Sequence, residues 1–437
     1  MADGLGLEVR FKRSGERKAV ATKALARKSG AEASVNKFER RRESIVQAAI
    51  GPLNEHGIRG MTFAHVAAKL DVVPTAVGYY FRRKEDLAAA CFLGGIHKLE
   101  QLGERALAYD GARARLRAFI QEFFEFRRRV AIGMEEEIAW FQDVRTIQDP
   151  TVNQAYIDMF RKVRGIFSTP DAGPLERVDR NARTHLILSQ FYWAVHWLKQ
   201  YNPEDYRRMA DRVCDIFDRG MASATTVWKP LALERQSSWA DADGEVSREA
   251  FLRVATGLIN DEGYLGASVQ KICAQLGVTK GSFYHHNETK DDLVVQCFER
   301  TWKIMREIQA AVDEHTDTGF DNLVAFAAHL VSGQVSGQRT LLRTSALSAV
   351  PQEMRPRLLA GFDRTSSRLA SVVSDGIADG SIRPVDAQAG AQVINGSINA
   401  ASELQNWAPG VTAANAADIY LKPLFLGLFA PPHGASS

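Results

Sequence analysis

The sequence predicts an all-α protein made of two similar halves. Apolar residues recur mainly at helical spacing, and alternating, strand-like runs extend over no more than a few residues. Glycine and proline lie mostly between these periodic segments, where they end helices. The third observation is an internal repeat, since Gly57 and Gly263 are 206 residues apart (263 − 57). A repeat of this length indicates a duplicated domain rather than a short-period solenoid.

The repeat extends without a gap through the first part of each half. Pairs related by the same shift are Arg42 and Arg248, Glu43 and Glu249, Asn54 and Asn260, Gly60 and Gly266, Thr62 and Ser268, Leu70 and Leu276, Val72 and Val278, Lys84 and Lys290, Leu87 and Leu293, Cys91 and Cys297, and Phe92 and Phe298. Near the end of each half, Gly220 and Gly427 are 207 residues apart (427 − 220). A single inserted residue in the second half accounts for this change in spacing.

Length and composition place the chain among globular proteins. Its 437 residues predict two to four domains, with 45% hydrophobic and 24% charged residues. No apolar run is long enough to span a bilayer and no signal-peptide pattern is present, so we expect a cytoplasmic protein without a membrane partner. The four cysteines lack CxxC spacing, which favours buried thiols over disulfides or zinc ligands.

The start of the chain is strongly basic. Residues 1–42 contain 12 Lys and Arg but 5 Asp and Glu, a net charge of +7 (12 − 5), against +3 for the whole chain. One interpretation is a solvated, disordered arm over residues 1–37. The other is an arm that follows DNA phosphates or enters the minor groove. The two are compatible, because such arms are often disordered until they bind.

Residues 62–81 predict two short helices joined by a tight turn. Thr62 is a helix-capping residue, and Pro74 falls in the first turn of the second helix, where proline is tolerated. Such a helix-turn-helix can place its second helix in a DNA major groove. The residues that we expect to face DNA are Thr62, Thr75, Ala76, Gly78, Tyr79, Arg82, Arg83 and Lys84.

The whole unit resembles the DNA-binding domain of the tetracycline-repressor (TetR) family of bacterial transcription regulators. The resemblance starts with a preceding helix over residues 39–56 that Gly57 ends. It continues through Thr62, the aromatic run at residues 79–81 and the helix that starts at Lys84. It implies operator DNA and a small-molecule effector as partners, and no cofactor.

The second half carries a closer match to the family pattern over residues 268–287. Its turn is Gly277 to Thr279 and its recognition helix starts at Lys280. The expected DNA-facing residues are Ser268, Thr279, Lys280, Gly281, Ser282, Tyr284, His285 and Lys290. This copy departs from the pattern at Asn287, where an aromatic residue is usual, and the first copy departs at Gly78, which stands where the second has Tyr284.

The domain organisation follows from the repeat. We expect a basic arm over 1–37, a first DNA-binding domain over 38–93, a first helical effector and dimerisation domain over 94–228, a linker over 229–246, a second DNA-binding domain over 247–299, a second effector and dimerisation domain over 300–430, and a tail over 431–437. Fully stretched, the linker could reach about 60 Å.

The resemblance places an effector cavity within the helical domains. The candidate effector-binding residues are Phe160, Trp193, His196, Trp197, Asn395 and Asn399. Aromatic residues at helical spacing also suit a plain core, and some could serve both roles. Small polar residues at 395, 397, 399 and 402 replace bulkier first-half residues, which indicates either a roomier pocket or a closer helix contact.

Two apolar stripes, over residues 204–221 and 414–429, resemble the final dimerisation helix of the family. Family members dimerise through their last two helices. Because both sets lie on one chain here, we expect an intramolecular four-helix interface with pseudo-two-fold symmetry, with further homodimerisation of whole chains possible.

Two functional hypotheses remain from the sequence. The first is a transcription regulator, a repressor released from DNA by a small apolar or aromatic effector. The alternative is a helical ligand-binding or interaction protein whose DNA-reading units have decayed. Both copies keep exposed polar residues that decay would remove first, such as Lys84 and Lys290, which favours the regulator. The histidines have no nucleophile or metal partner at useful spacing, so we expect neither an enzyme nor a metal site.

Overall fold

The computed structural model describes residues 36–58, 60–140, 149–231, 248–286, 289–350 and 353–430. Most of the predicted arm and linker, the tail and Asn287 lie outside the described residues, and the predictions for them stay predictions. None of the described helices is both long and apolar enough to cross a membrane.

Within the described residues, the first half forms eight α-helices. They are α1 (36–58), α2 (Phe63–Lys69), α3 (Pro74–Tyr80), α4 (Lys84–Leu107), α5 (Ala112–Ala131), α6 (Pro150–Arg164), α7 (Arg177–Trp197) and α8 (Tyr206–Arg219). The amino-terminal three form the helix-turn-helix unit. Helices α4 to α8 form the larger helical domain, in which α4 packs on α5 and α6, and α5 packs on α8.

The second half repeats this order. Its helices are α9 (Arg248–Gly266), α10 (Val269–Leu276), α11 (Lys280–His286), α12 (Lys290–Asp313), α13 (Gly319–Val335), α14 (Arg355–Asp379), α15 (Ala387–Ala400), α16 (Leu404–Trp407) and α17 (Lys422–Leu426). Both ends of α11 and of α12 lie 206 residues after the ends of α3 and α4. The all-α, duplicated fold predicted from the sequence is confirmed.

The last helix is shorter and less regular than the predicted stripe over 414–429. A π-helical turn, Ala417–Leu421, precedes α17. A π-turn holds one residue more per hydrogen-bonded ring than an α-turn, since its bonds join residues i and i+5. The turn lies where the repeat spacing changes from 206 to 207. We therefore assign the inserted residue to this turn.

The two halves pack against each other through their last helices. Helix α7 packs on α15, and α8 contacts both α15 and α17. Gly220, which ends α8, and Gly427, which ends α17, lie directly against each other. A Cβ atom on Gly220 would lie 2.6 Å from the Gly427 nitrogen. The pair of glycines that marked the repeat in the sequence thus lies at the contact between the halves.

All four cysteines are buried and unpaired, as the sequence predicted. Burial raises the pKa of the Cys91, Cys214 and Cys297 thiols to about 12. These thiols are therefore protonated at neutral pH and are inert packing groups.

Candidate DNA interface and effector core

The first helix-turn-helix presents a mostly uncharged reading surface. The Thr62 hydroxyl accepts a hydrogen bond from the His65 amide at 3.2 Å and caps α2. Pro74 begins α3, and Val77 on the inner side of this helix is fully buried. The opposite face points outward, and Tyr79 is 75% exposed. Thr75 is also exposed, Ala76 and Gly78 are half-buried, and no neighbour crowds a Cβ at Gly78.

A basic corner follows this recognition helix. Arg82 and Arg83 are exposed, and Lys84 begins α4. The Arg83 guanidinium donates to the Asp86 carboxylate at 2.6 Å, and this bond lowers the pKa of Asp86. Part of the positive charge of the corner is thus balanced locally. Contacts of Arg82, Arg83 and Lys84 with phosphates remain a prediction.

The second helix-turn-helix has the same frame with different exposed chemistry. The Ser268 hydroxyl accepts from the Lys271 amide at 3.2 Å, and Gly277 ends α10 in the left-handed conformation (φ 68°). Phe283 is fully buried, whereas Tyr284 is 58% exposed. Thr279, Lys280 and Gly281 are exposed too. The side chains of Ser282 and His285 lie outside the described residues.

Lys290, the counterpart of Lys84, is held by a residue that the first copy lacks. Its ammonium lies 4.0 Å from the centre of the Tyr264 ring and donates to the Tyr264 carbonyl. The Tyr264 hydroxyl in turn donates to Asp291. The first copy has Ile58 at the position of Tyr264 (264 − 206). The two lysines therefore occupy different surroundings despite their matching positions.

The six effector candidates make packing and hydrogen-bond contacts in the helical domains. Phe160 is buried and stacks on Trp407 at 4.8 Å. Trp197 is buried near Phe124, with the ring centres 6.1 Å apart. The side-chain oxygen of Asn399, Oδ1, accepts a hydrogen bond from the Thr344 backbone amide at 3.0 Å. These contacts link helices, and a role in ligand binding remains a prediction for all six residues.

Trp193 and Asn395 lie within a buried network between the halves. The Trp193 indole donates to Gln392 Oε1 at 2.9 Å, and the Asn395 amide donates to Ser366 at 2.7 Å. His196 lies beside Trp193, and desolvation lowers its pKa to about 4. Its imidazole is therefore neutral at pH 7.

Sequence patterns missed an aromatic group between α5 and α7 that includes Trp140. This side chain is 7% exposed, and its ring lies 6.2 Å from Phe123 and 6.4 Å from Tyr192. Its buried indole N–H has no hydrogen-bond acceptor among the described residues. The hydroxyls of Tyr156 and Tyr192 lie 3.0 Å apart nearby. A buried donor of this kind needs a partner that the described residues do not supply.

An asparagine in each half fastens the DNA-binding unit to the helical domain. Asn54 on α1 donates to the Ile138 carbonyl at 2.8 Å and accepts from the Trp140 amide at 3.0 Å. Asn260 makes the same two bonds to the Leu341 carbonyl and the Arg343 amide, at 2.8 and 3.1 Å. Both asparagines belong to the sequence repeat, but their long-range partners could not be inferred from it. We call these two arrangements the asparagine clamps.

A family model described as bacterial regulatory proteins, tetR family, matches the chain at residues 45–91 and again at 251–297. The two matches are 206 residues apart at both ends, and each covers most of a helix-turn-helix unit and the first turns of the helix that follows it. The chain therefore contains two TetR-family DNA-binding domains, arranged in tandem.

Among curated relatives, the chain is 30% identical over 121 residues to the HTH-type transcriptional regulator BetI of Burkholderia thailandensis. The alignment covers 26% of this chain and 60% of that relative. It is 27% identical over 139 residues to the HTH-type transcriptional repressor DhaR of Mycobacterium sp. (strain GP1), over 31% of this chain and 70% of the relative. Among solved structures, apo AibR is 25% identical, with a TM-score of 0.35, over 41% of this chain and 99% of that one.

Proposed function

We propose that this TetR-family chain is a sequence-specific transcriptional repressor that acts as an intramolecular pseudo-dimer and leaves its operator when a small apolar effector binds. The observation that carries the proposal is the packing of α7 and α8 against α15 and α17, because it joins two complete helix-turn-helix units in one chain. The repressor assignment is supported by the described function of DhaR.

The exposed residues of α3 and α11 support DNA binding. A recognition helix needs a buried side that fixes it and an outer side with hydrogen-bonding or apolar groups for base edges. Val77 and Phe283 supply the first, and Tyr79, Lys280 and Tyr284 supply the second. In this proposal Arg82, Lys84 and Lys290 contact phosphates.

The effector site proposed here is the space beside Trp140 in the first half. The indole N–H offers one hydrogen bond, the paired Tyr156 and Tyr192 hydroxyls offer another, and Phe123 supplies an apolar wall. The Arg127 guanidinium lies 5.1 Å from the centre of the Trp140 ring, but it is paired with the Glu137 carboxylate at 2.5 Å, so its charge is balanced within the first half. This chemistry suits an aromatic or apolar molecule with one or two polar groups.

The corresponding segment of the second half is anchored to the helices between the halves, whereas the ion pairs of Glu135 and Glu137 in the first half stay within that half. Arg343 pairs with Glu403, and the neighbouring Thr344 amide donates to Asn399 on α15. Ion pairing and hydrogen bonding fix this segment to the interface helix. We therefore assign effector sensing to the first half and a fixed, structural role to the second.

A thermal-shift screen of small molecules, followed by DNA-release assays with each hit, tests the proposal. We expect at least one hit that both raises the melting temperature and weakens DNA binding. Trp140→Phe should abolish this rise in melting temperature and leave DNA binding intact, because phenylalanine keeps an aromatic ring but has no N–H. The proposal fails if stabilising compounds leave DNA affinity unchanged.

The phosphate contacts predict a specific salt dependence. Each lost contact should reduce the slope of log affinity against log salt by about 0.9, so Lys84→Ala and Lys290→Ala should each do so. Lys303→Ala is the matched control, since Lys303 is an exposed lysine farther along the same helix as Lys290. DNA binding should be measured from low to high salt. Unchanged slopes in both mutants would contradict the phosphate contacts assigned to Lys84 and Lys290.

The asparagine clamps predict how the effector signal reaches DNA. The Asn54 clamp holds the backbone of Trp140, so a ligand that moves this residue displaces α1. Asn54→Ala should cost about 2 kcal/mol of stability and uncouple DNA release from ligand binding, whereas the ligand still raises the melting temperature. Asn260→Ala should be similarly destabilising yet leave release intact. Equal loss of release in both variants would contradict first-half sensing.

A further inference from the structure

The crossing of α7 and α15 is built from unlike residues at equivalent positions. Gln190 and Gly396 are equivalent by the 206-residue repeat (396 − 190) and lie against each other. The Gln190 amide donates to the Val393 carbonyl and to the Ser397 hydroxyl, both at 3.2 Å. A Cβ atom on Gly396 would lie 2.6 Å from Gln190 Oε1. One half supplies the side chain and the other supplies the space.

Two copies of the first half would not pair well across the same contact. Gln190 would then meet a second Gln190 where the structure leaves room for one side chain. Trp193 would face Leu186, the equivalent of Gln392 (392 − 206), and its buried indole N–H would lose its acceptor. Crowding in a packed contact and a buried unsatisfied donor each oppose association.

Two copies of the second half would also conflict, for a different reason. Arg383 is largely buried and donates to the Asp215 carboxylate at 2.8 Å, to the Asp215 carbonyl at 2.9 Å and to the Gly220 carbonyl at 2.9 Å. The equivalent of Asp215 in the second half is Lys422 (422 − 215 = 207). A pair of second halves would therefore set Arg383 against a lysine. Like charges at a buried contact cost several kcal/mol.

We propose that this interface accepts only the unlike pairing, so the partner of each half is the other half and not a second copy of itself. Gln190, Trp193 and Asp215 on one side complement Gly396, Gln392 and Arg383 on the other. This inference rests on the intramolecular pseudo-dimer of the proposed function, and it names the residues that make the two unlike halves pair. Specificity of this kind combines favourable contacts to one partner with repulsion of the alternatives.

The full chain with a specific protease site placed within residues 232–247 provides the test. After purification and cleavage, native mass spectrometry should show one first half bound to one second half. Gly396→Gln should raise the dissociation constant of the cut halves at least about tenfold, because two side chains then compete for one space. Adding Gln190→Gly should recover most of that loss, since it returns one side chain and one space to the contact.

Gly94→Gln is the matched control, because Gly94 is an exposed helical glycine with no atom near its Cβ position, and pairing should be unchanged. Complexes of two identical halves, or a double variant no better than Gly396→Gln alone, would overturn the proposal. The same variants in the uncut chain should show the same order of melting temperatures, which keeps the test decisive if cut halves aggregate. DNA binding measured in parallel separates the two claims, since lost binding with retained unlike pairing would count against the repressor function alone.

Discussion

Gly220→Ala should destabilise the protein by at least about 3 kcal/mol, one of the largest effects expected of a single substitution here. Two causes combine. The backbone of Gly220 has φ 69° and ψ −166°, a region that is essentially restricted to glycine. An added Cβ would also lie 2.4 Å from the Leu426 carbonyl carbon and 2.4 Å from the Phe425 oxygen. These are backbone atoms of the other half, so no side-chain rotation relieves the contact.

Gly173→Ala is a close control for the conformational part of this cost. Gly173 has φ 82° and ψ 179°, nearly the same backbone conformation, but nothing lies within 4 Å of its Cβ position. We expect it to lose about 1 kcal/mol in urea unfolding. The difference between the two variants then measures the contact between the halves. Equal losses would show that Gly220 and Gly427 do not approach each other in solution.

The second large effect concerns the operator, which should consist of two different half-sites. Identical readers related by a two-fold axis select a palindrome, with half-site centres one helical turn apart, about 34–36 Å. Here the first reader exposes Thr75 and Tyr79 and the second exposes Lys280 and Tyr284. A lysine donates to guanine O6 and N7, whereas the threonine methyl packs against thymine. The two halves of the site should therefore differ in sequence.

Selection from a random DNA pool should return an asymmetric pair of half-sites. Duplexes that carry two copies of either half-site should bind at least about a hundredfold more weakly, because each mismatched base pair costs about 1–3 kcal/mol. Lys280→Ala should relax specificity at guanine in one half-site and leave the other unchanged. Recovery of a perfect palindrome would falsify this prediction and would imply that two whole chains bind with one kind of reader each.

The sequence predicted the fold and the DNA-reading units because both depend on local patterns. Helix caps such as Thr62 and Ser268, the positive-φ Gly57 and Gly263 that interrupt α1 and α9 near their ends, and the repeat itself are properties of neighbouring residues. The 207-residue spacing of Gly220 and Gly427 even located an insertion, which we assign to a π-turn. These features can be predicted without knowledge of tertiary contacts.

The proposed ligand-sensing site could not be predicted in the same way. The role proposed for Trp140 depends on an indole N–H that has no acceptor among the described residues, and the role proposed for Asn54 depends on partners 84 and 86 residues away in the sequence. Asn395 and Trp193 are predicted from their chemistry to contact the effector, and they also make hydrogen bonds that the sequence did not reveal. Composition cannot separate a pocket wall from an interface when both are buried and partly polar.

The stoichiometry of the complex with DNA tests the central claim most directly. The selected operator duplex should be mixed with the full chain, and the mass of the complex should be measured by native mass spectrometry or light scattering. If one chain binds both half-sites, the complex contains one chain of 48.4 kDa per duplex, and both half-sites are protected from cleavage. A complex with two chains per duplex, each protecting one half-site, would contradict the account.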